Sequence, residues 1–180
     1  MKALNVGSVF FFTMALPFLF SLPAESTPAL SVSPADTTVT RGASFDLRVA
    51  VNGDFNDLMG YNVTVRIDSS VIRIQSVEEG SLLLSSGHPA FFCWSNQETA
   101  YDSVLVNGAI LGGTIDGPGT LFVMRLVAAG CGLSNVRISA SELRNGLNSS
   151  IDHIIEPGIV RVAGPTDVDF ITWGSLKRKF

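Results

Sequence analysis

Histidine and cysteine are scarce in this sequence, which has two of each among its 180 residues. His88 and His153 lie far apart, and neither has a cysteine or carboxylate at the spacing of a metal site. No D-x-D-x-D-G calcium loop is present, and Asp116 beside Gly117 has the context of a turn residue. The sequence therefore predicts no metal and no cofactor, with both histidines at the surface.

Catalytic arrangements are missing as well. There is no G-x-S-x-G motif, and no serine stands beside a base in the sequence. Acidic residues such as Asp68 and Asp102 could form a carboxylate pair only through the fold, and acidic turn residues are usually solvated. We therefore expect a protein that is not an enzyme.

Charge is also sparse. Charged residues make up 16% of the chain and hydrophobic residues 46%, which is not the composition of a disordered protein. Lysine and arginine total 12 against 16 aspartates and glutamates, for a net charge of −4. Without a basic face for a phosphate backbone, nucleic acid is not an expected partner.

The longest apolar run stands near the N-terminus, from Val6 to Leu22. Lys2 precedes this run, and Ala24-Glu25-Ser26 supplies small residues after it. A run of about 17 residues is at the low edge for spanning a bilayer. We therefore interpret residues 1–26 as a secretory signal peptide cleaved after Ser26, an uncleaved membrane anchor being the alternative. The mature chain is expected to be secreted, extracellular or at the cell surface, with membrane contact only through the signal segment.

Short segments of alternating polarity follow a linker at residues 27–29. Phe45 to Val51 and Tyr61 to Ile67 both alternate, and Ser134 to Leu143 does so too, which is the mark of half-buried strands. No stretch of ten residues there has helical periodicity. Short strands separated by Gly, Asn and Asp turns predict an all-β sandwich. The expected core includes Val39, Phe45, Leu47, Val49, Val63, Val65, Ile67, Val71, Ile74, Leu121, Val123, Val136 and Ile138.

Glycine marks several predicted turns. Asn145-Gly146 predicts a hairpin, and Asn107-Gly108 predicts a turn between two further strands. Gly117-Pro118-Gly119 predicts a turn in which at least one glycine adopts a positive φ. After it, the alternation should place Val136, Ile138 and Ala140 on one face of a strand.

The order of these segments resembles that of cohesin-like domains. Leu30 to Val51 resembles the opening of the family, and Gly60 to Leu83 resembles its next pair of strands. Ser69 stands where the family usually has proline, and Ile72 where it usually has leucine. The later strands match through Gly117, Gly119, Leu121, Phe122, Met124, Leu126, Gly132, Ser134, Val136 and Ile138. The resemblance covers residues 30–163 and implies a nine-stranded jelly-roll sandwich of two sheets.

This resemblance implies an exported, non-catalytic binding module. Its partner would be a dockerin-type module or another protein of an extracellular polysaccharide-degrading or surface assembly. The resemblance also implies that the partner meets one flat sheet face, on which the strand from Gly60 to Ile67 presents Asn62, Thr64 and Arg66. Asn62 matches a polar contact position of dockerin-binding members. An ordinary solvated sheet face is the alternative for these three residues.

Two other functions remain open. The wider superfamily includes cellulose- and chitin-binding modules, in which rows of exposed aromatic residues stack on sugar rings. Here the candidates for polysaccharide binding are Tyr61, Trp94 and Tyr101, although Tyr61 and Trp94 could equally belong to the core. The third alternative is a structural component of an extracellular assembly, attached through its C-terminal tail.

The two cysteines, Cys93 and Cys131, could form a disulfide, since paired cysteines are frequent in exported proteins. Two free thiols are the alternative, because Cys93 lies in a predicted strand and pairing requires close approach.

The tail, residues 164–180, begins where Gly164-Pro165 breaks the last strand. It resembles a short C-terminal tail of exported bacterial proteins through Thr172, Trp173, Gly174, Leu176 and Lys177. Its aromatic residues recur at helical spacing, so an amphipathic helix and a disordered end are both open.

Overall fold

A computed structural model describes residues 27–96 and 102–164 of the chain. These residues form eleven strands and one short helix. The elements are β1 (Ala29–Ser33), β2 (Asp36–Thr40), β3 (Ser44–Asn52), β4 (Leu58–Arg66), β5 (Ile72–Glu79), α1 (Ser81–Ser85), β6 (Ala90–Asn96), β7 (Ser103–Ile110), β8 (Gly119–Ala128), β9 (Gly132–Asn145), β10 (Ile154–Glu156) and β11 (Gly158–Ala163). The predicted signal peptide and residues 165–180 of the predicted tail lie outside the described residues. No helix within the described ranges has the length and apolar character needed to cross a membrane.

The strands form two sheets. The five-stranded sheet has the order β10-β1-β3-β8-β5, and the six-stranded sheet has the order β2-β11-β9-β4-β7-β6. Neighbours are antiparallel except for β1 with β10 and β2 with β11, which are parallel. The predicted all-β sandwich is confirmed. The described residues contain eleven strands rather than nine, since residues 29–40 divide between the two sheets and Ile154–Glu156 forms a separate short strand.

The core lies between the sheets and follows from the alternation of each strand. In β4, for example, Val63 and Val65 are fully buried whereas Asn62 and Arg66 are exposed. Burying a side chain of this size contributes about 1.5–3 kcal/mol to folding. The predicted core is largely confirmed, with Val39, Phe45 and Ile74 packed at its margin. Val123 is only half-buried, because it lies between the inward-facing Phe122 and Met124 and so points to the outer side of β8.

The chain turns after Asn145, as predicted. The backbone N–H of Asn145 donates to the carbonyl of Ser149 at 3.0 Å, which closes the loop. The predicted turn at Asn107-Gly108 is wrong, since β7 runs straight through both residues. Gly108 is opposite Tyr61 in the register, and a Cβ there would lie 2.3 Å from Cζ of the tyrosine ring. The glycine therefore makes room for an aromatic ring instead of turning the chain.

The expected positive φ at Gly117 or Gly119 is also wrong, because neither glycine adopts one. Close packing explains why both positions are glycine. A Cβ at Gly117 would lie 1.8 Å from Cε1 of Phe55, and a Cβ at Gly119 would lie 2.7 Å from Cγ of Leu82.

Ala140 does not share a face with Ile138, in contrast to the predicted alternation. The register between β4 and β9 shifts between Thr64 and Val65, which pair with Ala140 and Ile138. Such a bulge changes the face that the following residues occupy. As a result Ala140 is exposed while Leu143 is fully buried.

Candidate functional site

The candidate site is the solvent-facing side of the strands β9, β4, β7 and β6, which we call the outer face. The register places Cys93, Asn107, Asn62 and Glu142 in one row across these four strands. Because residues two apart on a strand share a face, Thr64 and Arg66 continue the site along β4. The predicted outward orientation of these β4 side chains is confirmed, with Asn62 and Arg66 exposed and Thr64 half-buried.

Amide hydrogen bonds organise the centre of the outer face. The Nδ2 group of Asn62 donates to Oδ1 of Asn107 at 2.7 Å, and Nδ2 of Asn107 contacts Sγ of Cys93 at 3.8 Å. These contacts fix the orientation of the Asn62 amide. The centre of the outer face is thus polar but uncharged, and it can both donate and accept hydrogen bonds.

At one end of the outer face lies a groove of about 490 Å³. Gly60 and Ala109 form the floor of the groove. They face each other across β4 and β7, and neither has a large side chain that would fill the space. The polar rim is built by Arg144, which forms an ion pair with Glu142 and donates to the carbonyl of Asn148 at 2.7 Å. The lining comprises Met59, Gly60, Tyr61, Asn62, Ala109, Ile110, Leu111, Gly112, Glu142, Arg144 and Asn148. The groove can therefore receive an apolar side chain beneath a polar rim.

The opposite end of the outer face carries charged side chains. Arg66 pairs with Arg137 across β4 and β9, and both line a depression of about 330 Å³ together with Asp68. Hydrogen bonds from the side chain and backbone N–H of Ser70 lower the pKa of Asp68, which therefore stays ionised near neutral pH. Arg66, Arg137 and Asp68 together make this end of the outer face charged.

Of the residues predicted for polysaccharide binding, Tyr61 lies in the core. Its hydroxyl donates to the carbonyl of Leu121 at 2.8 Å, and its ring stacks against Phe122 with centroids 6.2 Å apart. Burial, followed by the nearby charge of Glu79, raises the pKa of the phenol. A ring in this position cannot stack on a sugar.

Trp94 is 37% exposed on β6, and Tyr101 lies outside the described residues. Phe91, on the same strand, is 52% exposed. Phe91 and Trp94 are three residues apart, so they point to opposite faces of the sheet. These two aromatic residues do not form a planar row.

Cys93 and Cys131 are both free and exposed, so the intramolecular disulfide considered for them is wrong. Cys93 lies on β6, whereas Cys131 precedes β9, three strands away in the sheet order. At a strand spacing of about 4.8 Å this separation is about 14 Å. A disulfide requires Cα atoms within about 7 Å.

A contact between Ser141 and His153 was not predicted from the sequence. The Oγ of Ser141 lies 2.7 Å from Nε2 of His153, and Nδ1 lies 2.8 Å from the carbonyl of Ile151. A carbonyl only accepts, so Nδ1 carries the proton and Nε2 accepts from the serine. His88 is exposed as predicted, whereas His153 is only partly exposed, with its ring in contact with Ser141.

This serine–histidine pair has the tautomer of a nucleophile and base. However, its orienting group is a backbone carbonyl where hydrolase triads have a carboxylate. Neither Ser141 nor His153 lines the groove beside Gly60 or the depression beside Arg66. Within residues 27–96 and 102–164, no cluster of three or more His, Cys, Asp or Glu side chains could hold a metal ion.

No protein-family model matches the chain, and no curated protein does. Solved structures match well. A non-cellulosomal cohesin from Archaeoglobus fulgidus superposes with a TM-score of 0.64 at 15% identity, over 77% of this chain and 92% of that one. The fold is that of a cohesin.

Cohesins solved with bound dockerins are among the similar structures. The sixth cohesin of Acetivibrio cellulolyticus scaffoldin B, in complex with a mutant Cel5 dockerin, has a TM-score of 0.65 at 16% identity. It matches 77% of this chain and 100% of that chain. A type I cohesin–dockerin complex from Clostridium thermocellum gives 0.65 at 14% identity, over 79% of this chain and 99% of that chain. Each match covers nearly the whole cohesin, so the complete cohesin sandwich is present in this chain.

Proposed function

We propose that this protein is an exported, non-catalytic cohesin-like module that binds another extracellular protein through its outer face. The supporting observation is a complete cohesin sandwich that leaves one broad sheet face exposed, with Asn62, Thr64 and Arg66 along its central strand β4. Structures with this fold include complexes of cohesins with dockerins, so a dockerin-type module is the leading partner.

The layout of the outer face gives the chemistry of the partner. The groove beside Gly60 suits an apolar side chain, and the charged end around Arg66, Arg137 and Asp68 suits a polar or charged side chain. Between them the amides of Asn62 and Asn107 suit a backbone or polar side chain. Interfaces of this kind typically bury about 800 Å² on each partner, with the binding energy concentrated in a few central residues.

The direct test is a capture experiment with the immobilised protein and the secreted proteins of its source organism. We expect the wild type to retain a protein that Arg66→Glu retains at least about tenfold less, because the charge that β4 presents at one end of the outer face is reversed. Arg48→Glu is the matched control, since Arg48 is an exposed arginine on the outer side of the other sheet. Equal capture by all three proteins would rule out the assigned face.

Both substitutions should leave stability within about 0.5 kcal/mol of the wild type, as is usual for surface positions. Thermal unfolding of each variant checks this, so that lost capture is not mistaken for lost folding. If the wild type retains only insoluble polysaccharide and no protein, the carbohydrate-binding alternative replaces the proposal. If it retains neither, a structural role in an extracellular assembly becomes the better account.

A further inference from the structure

Strand β6 ends the six-stranded sheet, and no strand within residues 27–96 and 102–164 pairs with its far side. Its sequence, AFFCWSN, contains no charge and no proline. Exposed edge strands usually carry a charged residue or a proline, because their unpaired backbone groups otherwise pair with another strand. Here Phe91 is 52% exposed and Trp94 37% exposed. This edge has the properties of a strand that pairs with another chain.

The backbone hydrogen bonds show which groups the edge offers. The N–H of Leu111 donates to the carbonyl of Pro89 at 2.8 Å, in line with the β6–β7 register. In an antiparallel ladder the same side of the backbone recurs at every second residue. The odd-numbered residues of β6 therefore bond to β7. The N–H and C=O groups of the even-numbered residues, including Phe92 and Trp94, point away from the sheet.

We propose that β6 pairs with β6 of a second copy of this chain, antiparallel about a two-fold axis at Cys93. In this register Phe92 lies opposite Trp94 of the second copy, and Ala90 lies opposite Asn96. All the outward-pointing backbone groups of the strand are then used, in about eight hydrogen bonds. The two six-stranded sheets become one continuous sheet.

The strand itself favours a second copy as the occupant. Cys93 is the middle residue of the seven in β6, so only a two-fold axis there pairs the strand along its full length. The strand carries no charge, so two copies meet without like-charge repulsion. The register also forms two equivalent pairs between Phe92 and Trp94, and aromatic cross-strand pairs are favourable.

Cys93 provides a covalent reporter of this pairing. In the proposed pairing, Cys93 lies opposite Cys93 of the second copy. This is a non-hydrogen-bonded position, where Cα atoms lie about 4.5 Å apart. Disulfides span Cα separations of about 4.4–6.8 Å. With oxidised glutathione as the oxidant, one thiolate forms a mixed disulfide and releases one reduced glutathione. The second thiolate then displaces the other, giving one Cys93–Cys93 disulfide and two reduced glutathiones for each glutathione disulfide consumed.

The first test uses the full-length secreted protein. Sedimentation in reductant should show a reversible dimer, and oxidised glutathione should convert it to a covalent dimer on a non-reducing gel. Cys131→Ser should keep the covalent dimer, whereas Cys93→Ser should lose it but keep the reversible one. A monomer at all concentrations overturns the proposal. Equal cross-linking through Cys131, which is also exposed, overturns it as well.

The register is tested with relocated cysteines in a Cys93→Ser, Cys131→Ser background. The proposed axis places residue 91 opposite residue 95 of the second copy. Phe91→Cys and Ser95→Cys should therefore cross-link when mixed, and each should cross-link poorly with itself. Self-cross-linking by either variant at the mixed rate overturns the register.

The backbone contribution is isolated at Trp94, whose N–H points away from β7. Trp94→Pro removes this donor without breaking a β6–β7 hydrogen bond, and edge strands tolerate proline in this position. Trp94→Ala is the matched control that keeps the donor. We expect self-association of Trp94→Pro to be at least about tenfold weaker than that of Trp94→Ala. Equal dimerisation by both variants overturns pairing through this edge.

Discussion

The hydroxyl of Tyr61 donates a hydrogen bond of 2.8 Å to the carbonyl oxygen of Leu121. Tyr61 belongs to β4 and Leu121 to β8, so this bond joins the centres of the two sheets. The same carbonyl also accepts from the N–H of Gly80 at 3.0 Å. One carbonyl thus connects the strand that carries the outer face to the opposite sheet and to the start of α1.

Removing this hydroxyl by Tyr61→Phe should destabilise the fold by about 0.5–1.5 kcal/mol, the usual net value of one hydrogen bond. The ring and its packing on Phe122 are kept, and the carbonyl of Leu121 still has Gly80 as a partner. Urea unfolding measures the difference. A loss above about 3 kcal/mol would show that the ring has shifted as well.

Stability should also fall in alkali because of Tyr61. Burial raises the pKa of its phenol in the folded protein, whereas in the unfolded chain it ionises near pH 10. The contribution of the neutral phenol is therefore fully present below about pH 10 and is lost as the pH rises further. Above that pH, unfolding free energy should fall more steeply for the wild type than for Tyr61→Phe. Tyr101→Phe removes the other tyrosine of the chain and serves as the control; an identical slope in all three proteins would contradict the assignment.

Gly108→Ala should destabilise the protein by about 1–3 kcal/mol, because the new Cβ would meet the Tyr61 ring at 2.3 Å. Combining it with Tyr61→Leu should recover part of this loss, giving a coupling energy of about 0.5–3 kcal/mol. Urea unfolding of the two single variants and the double variant completes the cycle. Strict additivity would mean that the ring is not what requires glycine.

Ser141 should not react with a fluorophosphonate probe of serine hydrolases. Its side chain is part-buried, and His153 is oriented by a backbone carbonyl. Ser141→Ala should instead cost about 1 kcal/mol of stability, as expected for a lost structural hydrogen bond. Mass spectrometry after exposure to the probe checks the first part. Labelling that disappears in Ser141→Ala would reopen an enzymatic function.

We predict that the mature protein begins near Thr27. The prediction rests on the apolar run before Ala24-Glu25-Ser26 and on the small residues of the cleavage site. Intact-mass measurement of secreted material tests it. A mass that retains residues 1–26 would support the membrane-anchor alternative.

Alternation within a strand was sufficient to predict the faces of β4. Asn62, Thr64 and Arg66 point outward because Tyr61, Val63 and Val65 are drawn into the core. This inference needs only the period of a strand, which is a local property of the sequence. The order of such strands also gave the sandwich class.

Predictions that depended on contacts between strands were less successful. Asn107-Gly108 has the local signature of a turn, and only the register of β4 on β7 shows that a ring requires the glycine. The bulge that exposes Ala140 is likewise a property of two paired strands. Neither contact leaves a local pattern in the sequence.

The contact between Ser141 and His153 could have been predicted. The loop after Asn145 places Arg144 opposite Ser150, and the N–H of Ile151 donates to the carbonyl of Leu143. Continuing this pairing along the chain brings residue 141 opposite residue 153. A correctly placed hairpin was therefore enough to find the pair.

The parallel pairing of β1 with β10 and of β2 with β11 has a mechanical consequence. Tension that pulls the chain apart at Ala29 and Ala163 would draw β2 and β11 past each other along their length. Five residue pairs, from Asp36 with Ile159 to Thr40 with Ala163, would then bear load simultaneously rather than peel open in turn. Forced unfolding is governed by the unfolding rate, and this shear geometry should slow unfolding when the two ends are pulled apart. Such a sandwich can transmit force between its two ends without losing its outer face.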